Sequence, residues 1–235
     1  MQTKHVGIVN REPNRMNTNT QTKVLQAALL EESYVEDGMS KVGRDFKRIA
    51  DFIVAAFCLI IFSPLFLICY IAVKLEDEGP AIFKQERIGL HGLPFTIYKF
   101  RSMKMDAEKD GPQLAGDENS HRMTKVGSFL RNHHFDELPQ LWNVLKGDMA
   151  FIGPRPERKY YIDQILKHDP RYTELYRIRP GVTSYATLYN GYTDTMEKML
   201  KRLELDLYYL EHRSWWLDTK ILIKTFLCIV IGKKF

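Results

Sequence analysis

An adjacent pair of carboxylic acids, Asp136 and Glu137, opens a predicted helix that ends at Gly147. Pro139 follows the pair, as is typical of a first helical turn. Asp136 stands in the position of an N-cap, where free backbone amides and the helix dipole hold a carboxylate ionised. An ionised carboxylate can act as a nucleophile or as a metal ligand. Ordinary helix capping is the alternative interpretation of the same pair.

Pro154-Arg155-Pro156 places an arginine between two prolines. Each proline fixes its own φ, and Pro156 also restricts Arg155 to extended geometry, so little backbone entropy is lost when the side chain binds a ligand. A guanidinium held in this way suits bidentate recognition of phosphate. A rigid structural turn is the alternative.

Two more cations are predicted on one face of a β-strand. Ala81–Ile88 and Pro94–Met103 indicate a β-hairpin with a glycine-bracketed loop. Alternation along the second strand puts Lys99 and Arg101 on the same side. These two side chains, together with Arg131 just upstream of the carboxylates, are candidate ligands for a phosphate. A solvated strand end is the competing interpretation of Lys99 and Arg101.

The element that must position these groups is the apolar run Ile49–Val73, whose only formal charge is Asp51. At about 1.5 Å per residue a straight helix of this length measures about 37 Å, more than the roughly 30 Å of a hydrocarbon core. Ser63-Pro64 interrupts the run, and an interior proline kinks or breaks a helix. The Ser63 hydroxyl is expected to bond a carbonyl that the break frees.

Three interpretations of the interrupted run remain open: a re-entrant hairpin, a kinked transmembrane span and a buried soluble helix. The hairpin is favoured because cationic residues flank both ends, which makes neither flank typical of a non-cytoplasmic segment. Each leg is also too short to cross alone, at about 21 Å and about 13 Å. Lys47 and Arg48 are expected to extend toward lipid headgroups.

The C-terminal part is predicted to contain two helices of different character. Leucines at helical spacing between Met196 and Leu210 indicate an amphipathic helix that packs on the domain. The segment Trp215–Phe235 is interrupted by charges too often for a span, and its two initial tryptophans are typical of interfacial anchors. We therefore expect this segment to lie at the membrane surface.

Composition narrows the class of partner. The 235 residues carry a net charge of +5 and a pI near 9.0. Beside an apolar segment, this balance favours anionic lipid headgroups and a phosphorylated substrate. A nucleic-acid binder is the least favoured class, because the basic residues are dispersed and no base-stacking motif accompanies them. The three cysteines have no metal-ligand spacing and indicate a reducing compartment.

Four stretches in this order resemble the bacterial sugar transferase family, the monotopic phosphoglycosyl transferases that initiate cell-envelope glycans on a polyprenyl phosphate. The resemblance covers about residues 44 to 232. The stretches are Lys47–Leu75 with its Ser63-Pro64 break, Tyr98–Met103, Asp136–Met149 and Ile152–Pro156.

The resemblance implies a mechanism and a set of site residues. The carboxylate matching Asp136 attacks the β-phosphorus of a UDP-sugar, releases UMP and forms an aspartyl phosphosugar, from which the polyprenyl phosphate takes the sugar phosphate. Glu137, with Asp136, is the expected Mg²⁺ site. Pro154-Arg155-Pro156 contacts the nucleotide or phosphate, and Lys99 and Arg101 fit the basic lining.

The expected fold is therefore α+β: a mostly helical monotopic membrane protein with a re-entrant helix-break-helix hairpin, a small β-hairpin and interfacial helices. The expected division is a partly disordered N-terminal extension at 1–43, the re-entrant hairpin at 44–75, a cytoplasmic catalytic domain at 76–213 and a membrane-interface segment at 214–235.

The resemblance places the protein at the bacterial inner membrane, with its catalytic domain facing the cytoplasm. The expected pathway is that of an exopolysaccharide, a capsule or an O-antigen, and homo-oligomerisation is left open. Two other function classes remain: a membrane-bound glycosyltransferase that releases UDP, and a non-catalytic membrane scaffold.

Overall fold

A computed structural model describes residues 35–107, 122–191 and 193–231. Most of the predicted N-terminal extension, 1–43, lies outside these described residues. Among the described residues, the longer elements are connected by 3₁₀ turns that include Leu90–Gly92, Phe135–Glu137 and Pro170–Arg177. The helices are α1 Lys41–Ile61, α2 Ser63–Glu76, α3 Lys125–Asn132, α4 Gln140–Lys146, α5 Lys159–His168, α6 Tyr185–Asn190, α7 Met196–His212 and α8 Trp215–Ile231. The strands are β1 Ile82–Ile88, β2 Pro94–Phe100, β3 Ala150–Ile152 and β4 Gly181–Thr183.

The predicted break in the apolar run is confirmed. Helices α1 and α2 meet at Phe62 and are bent by 64° relative to each other. Pro64 has no N–H for the carbonyl of Ile60, one turn earlier, and the Ser63 hydroxyl donates to that carbonyl at 2.8 Å. Among the residues that the structure describes, no single helix is long and apolar enough to cross a membrane, whereas this bent pair meets both criteria together.

The bent pair exposes most of its apolar side chains. Ala55, Cys69 and Val73 are its buried hydrophobic residues within the described chain, and they pack against other elements. The exposed set includes Phe46, Ile53, Phe57, Ile60, Leu67 and Ile68, each at least 60% exposed. An apolar surface of this extent is typical of a membrane or protein interface.

The predicted β-hairpin is also confirmed, with a shorter second strand. β1 and β2 pair antiparallel from Ile82 opposite Phe100 to Ile88 opposite Pro94. The strand ends at Phe100, and the amide of Arg101 still donates to the carbonyl of Ala81 at 2.8 Å. His91 and Gly92 adopt positive φ in the connecting loop, which reverses the chain.

A second, parallel pair of strands joins two segments that are distant in the sequence. Ala150 pairs with Gly181 and Ile152 with Thr183. Sequence periodicity does not indicate this pair, because a three-residue strand is too short to show a period of two. Gly181 is required here, since a Cβ at this position would lie 2.2 Å from the backbone nitrogen of Gly153.

The C-terminal helices pack on this parallel pair and on the domain core. The predicted amphipathic helix is confirmed as α7, whose Leu203 and Leu207 are buried against α5 and the 3₁₀ turn Pro170–Arg177. α8 buries Ile221 beside Tyr209 of α7 and leaves Trp216 69% exposed. The described residues fall within one compact unit, and the observed class is α+β, mostly helical.

Candidate active site

Asp136 and Glu137 lie in a single 3₁₀ turn, Phe135–Glu137, between α3 and α4. The predicted N-cap role of Asp136 is wrong, because α4 begins only at Gln140, after Pro139. His134, at φ 57°, reverses the chain. The carbonyl groups of His134 and Phe135 then accept from the amides of Glu137 and Leu138, at 3.3 and 3.2 Å.

Glu137 is held by two of the predicted cations. Its Oε1 lies 2.7 Å from Nζ of Lys99 on β2 and 3.7 Å from a terminal guanidinium nitrogen of Arg155. Burial alone would raise the pKa of Glu137, but Lys99 and Arg155 outweigh burial and lower it. Glu137 is therefore an ionised carboxylate within a group of fixed charges.

The surroundings of Asp136 shift its pKa in the opposite direction to that of Glu137. The residue is only 7% exposed, and burial raises the pKa of its carboxyl, with a further increase from the neighbouring charge of Glu137. Lys99, Arg131 and Arg155 act against this shift without cancelling it. The predicted cause is therefore corrected: burial raises the pKa of Asp136 to about 6, and the nearby cations, rather than helix amides, favour its ionised form.

Arg131 and Arg101 occupy different positions relative to this pair. Arg131, on α3, lies close enough to lower the pKa of Asp136, and its guanidinium contacts the sulfur of Met123. Arg101 is buried elsewhere and donates to the backbone carbonyls of Asp77 and Glu78, at 2.8 and 2.6 Å. The structure does not bring Arg101 to the carboxylates.

The Pro154-Arg155-Pro156 turn is braced from three sides. The amide of Gly181 donates to the carbonyl of Pro154 at 2.9 Å. The guanidinium of Arg87 on β1 donates to the carbonyl of Pro156 at 3.2 Å. Glu157, directly after the turn, pairs with Arg202 of α7 at 2.7 Å and with Arg87 at 3.5 Å.

Sequence reasoning did not identify Arg87, Glu157 or Arg202 as part of the site. The position of Glu157 directly after the turn was the only sequence feature that could have indicated its role. Arg202 is distant from Glu157 in the sequence, so a local pattern could not predict their ion pair. All three residues fix the backbone that presents Arg155.

A small cavity of about 10 Å³ opens beside Arg155. Arg202, Tyr172 and Asp206 contribute to its lining. Burial raises the pKa of Asp206 to about 8, with Glu157 adding to the shift and Arg202 opposing it. Asp206 is therefore largely neutral at pH 7.

No set of three or more His, Cys, Asp or Glu side chains is arranged to hold a metal within the described ranges. Asp136 and Glu137 provide two hard oxygen ligands. Mg²⁺ is commonly held by one or two carboxylates, with substrate phosphates and water completing its coordination. The donor set therefore fits a Mg²⁺ ion that binds together with a phosphorylated substrate.

The sequence profile of the bacterial sugar transferase family matches residues 42–232. A UDP-glucose:undecaprenyl-phosphate glucose-1-phosphate transferase of Klebsiella pneumoniae is 43% identical over 182 residues, which cover 77% of this chain and 39% of that protein. A UDP-N-acetylgalactosamine-undecaprenyl-phosphate N-acetylgalactosaminephosphotransferase of Aeromonas hydrophila is 41% identical over 186 residues, 79% of this chain and 44% of the relative.

A third relative is similar over most of its own length. The uncharacterized sugar transferase EpsL of Bacillus subtilis is 39% identical over 191 residues, which cover 80% of this chain and 88% of EpsL. By contrast, the matched region covers less than half of the Klebsiella and Aeromonas proteins. The profile match covers the bent helix pair, both carboxylates and the Pro-Arg-Pro turn, and the chain therefore belongs to the bacterial sugar transferase family.

Proposed function

We propose that this protein transfers a sugar-1-phosphate from a UDP-sugar to a polyprenyl phosphate such as undecaprenyl phosphate, and so initiates a cell-envelope glycan. The proposal is supported by membership of the family and by the activities for which the Klebsiella and Aeromonas relatives are named. The observation that carries it is the grouping of Asp136, Glu137, Lys99 and Arg155 beside the bent apolar pair.

In the proposed first step, a carboxylate oxygen of Asp136 attacks the β-phosphorus of the UDP-sugar. The bond from this phosphorus to the bridging oxygen breaks, and UMP leaves with the electron pair. In the second step an oxygen of the polyprenyl phosphate attacks the same phosphorus, and Asp136 is released as a carboxylate. Two displacements allow one aqueous and one lipid substrate to use a single nucleophile in turn.

The charges around Asp136 suit this role. A carboxylate that approaches a diphosphate needs positive charge between the two anions. Lys99 and Arg155 already neutralise Glu137 and are the groups that we assign to the diphosphate. Asp136 is shielded from water, so in its ionised form it is poorly solvated and a stronger nucleophile.

Asp136 and Glu137 are the residues that would hold Mg²⁺. When bound, the ion would supply further neutralisation of the substrate's negative charge. We expect chelation by EDTA to abolish transfer, and added Mg²⁺ to restore it.

We also propose that α1 and α2 form a re-entrant hairpin in the cytoplasmic leaflet of the inner membrane. The 64° bend and the exposed apolar side chains of both legs support this arrangement. The hairpin would keep the carboxylates on the cytoplasmic side, near the depth of a polyprenyl phosphate headgroup. α8, with its exposed Trp215 and Trp216, would lie at the same interface.

The test is to identify the nucleotide that the purified protein releases. Protein in lipid nanodiscs is incubated with undecaprenyl phosphate, Mg²⁺ and a panel of UDP-sugars, and we expect UMP with at least one sugar. Release of UDP would instead support a glycosyltransferase, and release of no nucleotide would support a scaffold.

A variant tests the covalent route. Asp136→Asn should release no UMP and form no phosphosugar adduct, because an amide is a poor nucleophile for phosphorus. Full turnover by undeamidated Asp136→Asn protein would contradict the assigned role.

A further inference from the structure

Each leg of the bent helix pair carries one charged side chain that binds the end of another helix. Arg48 lies near the start of α1, and Glu76 is the last residue of α2. Their targets are α4 and α3, the helices that directly follow and precede the Asp136-Glu137 turn.

Arg48 closes the C-terminus of α4. Its guanidinium donates to the carbonyl of Val144 at 2.6 Å and to that of Leu145 at 2.9 Å. The last carbonyls of a helix lack partners within the helix and attract a cation. Gly147, with φ 93°, leaves room for the guanidinium, because a Cβ there would lie 3.1 Å from one of its nitrogens. The expectation that Arg48 extends toward lipid headgroups is therefore corrected.

Glu76 closes the N-terminus of α3. Its Oε1 accepts from the amide of Lys125 at 2.6 Å, and its Oε2 accepts from that of Val126 at 2.9 Å. The first amides of a helix lack partners within the helix and attract an anion. The second leg is therefore bonded to the helix that leads into the candidate site.

Apolar contacts reinforce the same connection. Phe135 and Leu138, on either side of the carboxylate pair, pack against a buried cluster that includes Cys69 and Val73 of α2. The two helices that flank segment 133–139 are thus bound at their far ends, at 125–126 and 144–145, by charges from the bent pair, and the segment itself packs on one leg.

We propose that Arg48 and Glu76 are positioning residues, which hold Asp136 at the reacting phosphorus by tying α3 and α4 to the two legs of the bent pair. This inference rests on the proposed function. Neither residue needs to touch substrate. Since Lys99 and Arg155 are the assigned substrate ligands, loss of either positioning residue should affect kcat far more than KM.

The experiment measures amide hydrogen exchange and steady-state kinetics on the full chain in nanodiscs, for Arg48→Met and Glu76→Gln. The matched controls are Lys41→Met and Glu78→Gln, which change exposed charges next to the same legs. We expect exchange across 133–146 to increase about 10-fold in each test variant, the effect of losing one charged hydrogen bond. kcat should fall about 10-fold or more while KM changes less than about 3-fold.

Conservative variants keep the test decisive. Arg48→Lys retains a hydrogen-bond donor, and Glu76→Asp retains a carboxylate, so each should recover part of the lost kcat. If Arg48→Met or Glu76→Gln does not fold, the conservative variant at that position replaces it. Wild-type exchange and kcat in the variants at both positions would overturn the proposal, as would equal effects in the controls. A wild-type protein that releases no UMP would contradict the proposed function, whereas the exchange data would still decide whether the tie exists.

Discussion

Two adjacent carboxyl groups in this protein have opposite electrostatic surroundings. Lys99 and Arg155 outweigh burial and lower the pKa of Glu137, whereas burial outweighs the same cations and raises the pKa of Asp136 to about 6. Neighbouring acids with displaced pKa values commonly divide their roles at active sites. Glu137 is paired with Lys99 and Arg155, and this arrangement supports our proposal that Asp136 is the attacking carboxyl.

At the residue scale we predict that Arg155→Ala lowers kcat/KM for the UDP-sugar by about 10- to 150-fold, which corresponds to about 1.5–3 kcal/mol for a charged hydrogen bond. The variant would lose the contact that we propose between Arg155 and the diphosphate, and Glu137 would lose one of its neighbouring cations. Steady-state kinetics with the preferred UDP-sugar provide the measurement. Lys159→Ala, an exposed cation on the next helix, is the control, and unchanged kinetics in Arg155→Ala would mean that the Pro-Arg-Pro turn is only structural.

The sequence predicted the four charged residues at the centre of this cluster, but it wrongly placed Arg101 with them. Residue type and spacing identified Asp136, Glu137, Lys99 and Arg155, and the structure brings these four together. Arg101 was grouped with Lys99 by strand alternation, but its guanidinium donates to the backbone carbonyls of Asp77 and Glu78. Alternation predicts the side of a strand on which a residue lies, but it does not predict which partner a long side chain reaches.

At the element scale, a re-entrant hairpin and a kinked span differ in one measurable property: whether the two ends of the bent pair lie on the same side of the membrane. We predict that cysteines introduced at Asp45 and Glu78, both exposed, face the cytoplasm. A membrane-impermeant maleimide should label neither site in intact cells and both after the inner membrane is opened. Protein with only its native cysteines sets the background, and labelling of one site in intact cells would exclude the hairpin.

Asn143 connects α4 to the β-hairpin. It is fully buried, accepts from the amide of Tyr98 at 3.1 Å and donates to the carbonyl of Thr96 at 2.7 Å. We predict that Asn143→Ala lowers the free energy of unfolding by about 2–4 kcal/mol, because two buried backbone groups lose their partner. Denaturant unfolding in micelles measures this change. The exposed Asn132→Ala should stay within about 0.5 kcal/mol of wild type, and an equal loss in both variants would contradict the assignment.

Elements with a strong local signal were predictable, and elements defined by distant pairing were not. Pro64 and the glycine-bracketed loop mark the helix break and the β-hairpin directly. The β3–β4 pair has no such mark, because its two strands have three residues each and lie on either side of α5. Its existence depends on packing between segments that are separated in sequence.

At the scale of the whole molecule, stability should depend on pH through Asp206. Its pKa of about 8 in the folded protein exceeds the ordinary value, so the folded state binds more protons than the unfolded state and stability falls as pH rises toward 8. We predict a loss of about 1–2 kcal/mol between pH 6 and pH 8 in the wild type relative to Asp206→Asn. Unfolding of both proteins at the two pH values measures the difference, and parallel profiles would show that Asp206 is already ionised.

A buried ion pair joins the first and last helices of the described chain. Nζ of Lys47 lies 2.9 Å from Asp218, which also accepts from the Tyr209 hydroxyl at 2.7 Å. Lys47 was expected at the headgroups and is instead only 8% exposed. The sequence alone did not predict this ion pair, because Lys47 and Asp218 lie in different segments and a charged residue is common in an amphipathic segment.

This pair sets a rule for building chimeras within the family. A helix pair taken from a relative that lacks a cation at the position of Lys47 would leave the buried carboxylate of Asp218 without its partner, at a cost of several kcal/mol. Chimeras should therefore exchange α1, α2 and α8 together, although most of the candidate site lies between these helices in the sequence.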